Sequence, residues 1–196
     1  RFGERTEAHL AIEHFLELMF LRSDTNMLVL SSLPIFPEGS PLSPEIMDIT
    51  RKTVEGLCRD ERILLHAQAL PNVGSQPAAL DAMEHTARRY PVAAWKTFTH
   101  FPGAFEGDGN VWWLDDRDGG HLGERVIRQA VALGSPTICT HKGLSLGSAN
   151  ASPDDIGPAA RRHPDVNFVA YHSGFEVGTT EGPYRRETAH LGVNRL

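Results

Sequence analysis

Residues 136–144 read PTICTHKGL, and residues 167–176 read NFVAYHSGFE. Each begins as a short apolar run, meets a histidine at its end and reaches a glycine two residues later. Nearly continuous apolar runs of this length suit strands covered on both faces. The same texture recurs upstream at Met27–Ser31 (MLVLS), Ile63–Leu70 (ILLHAQAL) and Val92–Thr99 (VAAWKTFT). With Pro136–Thr140 and Val166–Tyr171 these make five predicted strands. Helical patterns lie between them. Ala8, Ile12, Phe15 and Met19 form one apolar stripe, and Leu122, Val126, Ile127, Ala130 and Leu133 form another. Ser43-Pro44-Glu45 reads as an N-cap followed by proline at the first helical position, opening a helix to about Arg59. Gln76 to Arg89 and Pro153 to Arg162 are further helix candidates, and Gly134 stops the helix before the fourth strand.

Helix and strand alternate, which predicts serial βα units on a parallel sheet and an α/β fold. Two architectures satisfy that order. A (β/α)8 TIM barrel normally needs ~250 residues, and an open doubly wound sheet suits the 196 residues of this chain more comfortably. Neither G-x-G-x-x-G nor G-x-x-x-x-G-K-[ST] follows any strand, so the nucleotide-binding form of the open sheet has no support.

Composition narrows the function classes. The chain carries 19 Lys+Arg against 25 Asp+Glu, a formal net charge of -6. That acidity argues against a nucleic-acid partner and against a polybasic membrane surface. No apolar run reaches the ~18 residues of a membrane helix. Cys58 and Cys139 are too few and too far apart for a disulfide framework or a zinc ribbon. A reducing, cytoplasmic compartment is the default. The chain starts at Arg1 without a signal-peptide pattern, and it is expected to be part of a longer product.

The informative feature is where histidine falls. His100, His141 and His172 each follow a predicted strand, and His66 lies inside another. Strand C-termini of a parallel βα fold open on one face, so these imidazoles should converge. Imidazole is the commonest side-chain ligand of zinc, and a catalytic site leaves a coordination position open for water. His141 and His172, in the shared contexts THKG and YHSG, are the stronger candidates. His66 either points into the sheet's interior or packs under a helix. His163, in RRHPD, reads as structural at a helix C-terminus. Lys96 lies inside an otherwise apolar strand, and a buried ammonium must be paired, modified or poised for function. Asp115, Asp116 and Asp118 either supply oxygen ligands or cap the following helix. Trp112 and Trp113 either latch the 101–120 loop or wall a substrate pocket. Cys139 reads as a buried inert thiol.

These segments, together with SDTNMLVLSSLP, AAWKTF and WWLDD, resemble the amidohydrolase superfamily, in its amidohydrolase-related branch of hydrolases and decarboxylases. The similarity runs from about Ala8 to Glu176. The resemblance implies a TIM barrel with one or two metals at the strand C-termini, the chain 1–196 forming a single such domain that represents about strands two to six. It implies His141, His172 and Lys96 as metal ligands, Lys96 in carboxylated form or as an anion clamp. His172 also carries a catalytic role, as second ligand or as the group that orients the water. His66 and His100 are the candidates for substrate binding. The family's H-x-H pair and its late Asp do not occur in this sequence. They would lie outside this chain or on a second one that completes the barrel.

The resulting expectation is a hydrolase whose metal-bound water attacks an amide, ester or lactone carbonyl. Zinc is the first choice of divalent metal, with manganese or iron as alternatives. A non-oxidative decarboxylase on the same site is the second reading, and an inactive barrel serving as a binding scaffold is the third. The expected partner is a small-molecule substrate, with homo-oligomerisation left open.

Overall fold

The computed structural model describes residues 12–33, 40–73, 75–100, 111–144, 148–177 and 181–196. Within them the chain runs α1 (Ile12–Leu16), a π-helical turn (Glu17–Leu21), β1 (Leu28–Ser31), α2 (Pro44–Cys58), β2 (Ile63–Gln68) and α3 (Gln76–Arg89). It continues through β3 (Val92–Thr97), α4 (Leu122–Ala132), β4 (Thr137–His141), α5 (Ile156–Arg162) and β5 (Asn167–Tyr171). Every expected strand is present to within two residues at its ends. Ala8, Pro34 and the first half of the 101–120 loop lie outside the described residues.

The five strands are all parallel and pair in sequence order, β1-β2-β3-β4-β5. That order excludes the doubly wound alternative, which reverses direction at a switch point. It also corrects the (β/α)8 barrel: the described residues form an open five-stranded sheet, and β1 pairs only with β2 while β5 pairs only with β4. The sheet is nevertheless curled. On a flat sheet β1 and β5 would stand about 19 Å apart at the usual strand spacing. Yet Tyr171 Oη on β5 donates to Ser31 Oγ on β1 at 2.9 Å. Only a curved wall brings those two side chains into contact.

Side-chain alternation gives the wall two faces. Leu30, Leu65, Ala67, Trp95 and Ile138 point outward and are buried under the helices. One cluster joins Trp95 and Ile138 to Val126, Ile127 and Ala130 of α4, Ile156 and Ala159 of α5, and Trp112 and Leu114. A second joins Leu30, Ile63 and Leu65 to Met47 and Val54 of α2, with Phe15, Leu16 and Phe20 over it. The inner face holds Ser31, His66, Lys96, Cys139, His141 and Tyr171. Its apolar members Val29, Leu64 and Val169 are 45%, 38% and 41% exposed. A register shift between Leu65 and His66 keeps the alternation in phase across β2 and β3, pairing Leu65 with Val92 but His66 with Ala94.

Local signals act as their chemistry predicts. Ser43 Oγ accepts from Ile46 N–H at 3.3 Å, with Pro44 at the first helical position, and Arg59 ends α2 in the left-handed region. Asp116 caps α4 from outside it, accepting from Gly123 N–H and Glu124 N–H, both at 2.8 Å. Gly123 is forced there: a Cβ would stand 2.3 Å from the Leu114 carbonyl oxygen. Gly123→Ala is therefore expected to lower stability by about 1–3 kcal/mol. Gly56→Ala in α2, where nothing lies within 4 Å of the added carbon, should raise it by about 0.5–1 kcal/mol. Urea unfolding of the two variants beside the parent checks both signs.

Candidate active site

The site is built on the C-terminal ends of β3, β4 and β5. Its foundation is a lysine. Lys142 follows His141, so the strand alternation sends it to the side opposite His141, where it is fully buried. Its ammonium donates to Thr99 Oγ1 at 2.9 Å, to the Asn150 carbonyl at 2.6 Å and to Asp155 Oδ2 at 2.8 Å. All three N–H bonds are used. Asp155 Oδ2 also accepts from Leu114 N–H at 3.0 Å, and Asn150 Nδ2 donates to the Trp112 carbonyl at 2.9 Å. Burial pushes the Lys142 ammonium down and the Asp155 carboxyl up, and the contact between them opposes both shifts.

That network aims the residues beside it. Gly143 adopts φ +95°, and a Cβ there would stand 2.6 Å from Phe175 N and O. Gly143 N–H donates to Ala151 O, and Leu144 N–H to Phe175 O, both at 2.6 Å. The segments after β4 and β5 are thereby clamped together. His141 ends β4, and His172 begins the turn after β5 with φ 61°. A non-glycine residue in that region carries backbone strain, a feature that gathers at functional sites. His172 Nε2 and His141 Nδ1 lie 3.1 Å apart and share a hydrogen bond. His100 closes the group, its ring centroid 4.4 Å from that of His141.

Every histidine and lysine expected at the site lies in or against this cluster. His66 points to the inner face, its Nδ1 2.8 Å from Tyr171 Oη. Tyr171 Oη thereby joins His66 to Ser31 across the inner face. Lys96 Nζ packs over the Tyr171 ring, 3.3 Å from its centroid, and 4.7 Å from that of Phe98. Among the described residues it has no hydrogen-bond partner. Cys139 is the cross-strand neighbour of Lys96 and is fully buried. Burial raises its thiol to about 11, as an inert cysteine requires.

Burial also sets the charge of the cluster. His141 falls to about 3, chiefly by loss of water and then through His100, His172 and Lys96. Desolvation, followed by Lys142, Lys96 and His172, takes His100 to about 4. His66 is lowered by burial and by Lys96. His66, His100 and His141 are thus held toward the neutral imidazole, the form that binds a metal ion.

The remaining candidates have structural work. Asp115 binds Arg117, which also reaches Asp154 and stacks on Trp113. Trp112 is buried and donates to Phe98 O at 3.1 Å, as a latch would, whereas Trp113 lines a surface pocket with Ser152, Asp154 and Glu176. His163 ends α5 and binds Glu124 at 3.0 Å. Two residues of the site were not singled out by sequence reasoning. Lys142 continues the buried alternation of Ile138 and Thr140, and that period-two pattern was its signal. Tyr171 occupies the inner alternation of its strand, one residue before His172.

Two nitrogens about 2.0–2.1 Å from a tetrahedral zinc lie about 3.3 Å from each other. The 3.1 Å between His141 Nδ1 and His172 Nε2 is close to that separation. Among the described residues no group of three His, Cys, Asp or Glu side chains is placed to hold a metal. The fit is therefore that of a two-nitrogen site. No helix among the described residues is long and apolar enough to cross a membrane.

No family model, curated protein or solved structure matches this chain, and nothing identifies it as a member of the amidohydrolase superfamily.

Two measurements check the site's energetics. Lys142→Met should cost about 3–5 kcal/mol, because it strands a buried carboxylate. Adding Asp155→Leu to it should recover part of that loss in urea unfolding. Second, His100 and His141 stay neutral in the folded chain down to about 4 and about 3, against 6.5 when unfolded. Below 6.5 the unfolded chain binds more protons, so stability should fall as pH drops from about 6.5 toward 4. The slope should flatten in the His100→Gln/His141→Asn double variant.

Proposed function

We propose that the imidazole cluster is the active site of a divalent-metal-dependent hydrolase acting on an amide, ester or lactone carbonyl. One observation carries the reading: His141 Nδ1 and His172 Nε2 stand 3.1 Å apart at the C-terminal ends of adjacent parallel strands. A metal ion held by these two nitrogens would replace the hydrogen bond between them. A bound zinc ion would polarise the carbonyl and acidify a water.

The chain's own groups do the rest. His141 is neutral at pH 7 and offers its lone pair without losing a proton. His172 is the second ligand, held by its left-handed backbone and the turn that follows. His100 is neutral as well and hydrogen-bonds the uncharged substrate carbonyl. His66, held through Nδ1 by Tyr171, stands on the same inner face as a substrate-binding group. The ion is assigned to His141 and His172, and Lys96 is left as an amine.

Two nitrogen ligands predict modest affinity, so metal should be lost readily to chelator. Elemental analysis of protein purified without chelator should find about one equivalent of zinc, manganese or iron. His141→Ala and His172→Ala should each lose the metal, together with hydrolysis of p-nitrophenyl ester probes. A folded protein that takes up no zinc on titration would overturn the assignment.

A further inference from the structure

The chain contains three lysines. Lys52 lies on the exposed side of α2, where it pairs with Asp48 at 2.7 Å. Lys142 is buried, with an acceptor for each of its N–H bonds. Lys96 differs from both. It is 3% exposed, lies on the central strand of the curled sheet and has no hydrogen-bond partner among the described residues. Its amine is bounded by the ring faces of Tyr171 and Phe98.

Those surroundings suit an amine better than an ammonium. Ring faces attract a cation, but they do not replace the hydrogen bonds it loses on leaving water. Cys139, Tyr171, His66, His100 and His141 are the titratable groups around it, and none of them is a carboxylate that could pair with an ammonium. Burial likewise lowers Lys96 itself to about 7, so a large share is free amine at neutral pH. A desolvated lysine with a free lone pair is an activated nucleophile.

We propose that Lys96 is an imine-forming lysine, whose amine condenses with the carbonyl of a small uncharged aldehyde or ketone. The Nζ lone pair adds to the carbonyl carbon, and the carbonyl π pair moves to oxygen. That oxygen takes a proton while the nitrogen loses one, giving a carbinolamine. The hydroxyl takes a second proton and leaves as water, the nitrogen loses its remaining proton, and the C=N bond forms. Protons taken and released are equal in number. Tyr171, hydrogen-bonded to Ser31 at 2.9 Å and His66 at 2.8 Å, provides a chain of exchangeable protons beside the amine. The substrate's apolar character follows from the two aromatic rings against the amine and from Val169, which pairs with Cys139 in the same register row as Lys96.

This activity needs no metal and does not rest on the hydrolase reading. The test is reductive trapping. The full chain is treated with propanal and cyanoborohydride at pH 7, in bicarbonate-free buffer with EDTA, because carbon dioxide competes for the same lone pair. Peptide mass mapping then follows propylation of Lys52, Lys96, Lys142 and the amino terminus over time. Lys96 should be labelled at least ~10-fold faster than Lys52, whose amine is almost wholly protonated at that pH. Lys96→Met, which keeps the side chain's length without the amine and is checked for folding by circular dichroism, should lose that fast label. Labelling confined to Lys52 and the amino terminus, or no faster at Lys96 than at Lys52, would overturn the proposal. Neither result alters the metal content of the His141 and His172 variants, so the two readings fail separately.

Discussion

The buried contact between Lys142 and Asp155 is the constraint on which the site depends. A paired charge in a protein interior does not earn its place through stability alone, since well-packed apolar residues of similar volume often do as well. Its effect here is positional. One ammonium satisfies Thr99 after β3, Asn150 in the turn after β4 and Asp155 ahead of α5, and Asp155 reaches on to Leu114. Four separate stretches are thereby held to one point. Lys142 and His141 are adjacent on an extended backbone, so holding the lysine under the sheet turns the imidazole toward its inner face.

Curvature is the second constraint. Among the described residues the helices pack on the outer face, and the side chains of the strands themselves occupy the inner one. Tyr171 reaches across that concavity to Ser31 and His66. In doing so it roofs Lys96. The electrostatics follow from the same geometry. Imidazoles, a thiol and an amine crowd together with little water, and each shifts toward its uncharged form. The result is a site rich in lone pairs and poor in fixed charge, which suits metal binding and carbonyl chemistry alike.

Much of this was legible in the residues. Apolar runs with β-branched residues located the five strands because each packs its outer face against the helices, fully in β2, β3 and β4 and partly in β5. Ser43-Pro44 marked the start of α2, and Gly134 marked the turn after α4, through local backbone chemistry. The parallel order expected from the alternation of strand and helix puts His100, His141 and His172 at one end of the sheet. Lys96 announced its burial by standing inside VAAWKTFT. The eight-stranded barrel did not hold, because resemblance of a few motifs says nothing about how many strands a chain contributes.

What the sequence determined by itself was local and periodic: where strands and helices lie, which faces are apolar, and which residues stand at strand ends. Those properties depend on neighbours a few positions away, so spacing reveals them. What only the tertiary structure decided was long-range. The pairing of Lys142 with Asp155, the reach of Tyr171 from β5 to Ser31 on β1, and the 3.1 Å approach of His141 and His172 all join distant segments. So did the difference between Lys96 and Lys142, two buried lysines of opposite character. Charge and reactivity in an interior are set by which partners the fold brings within hydrogen-bond reach, and periodicity along the chain carries no record of those partners.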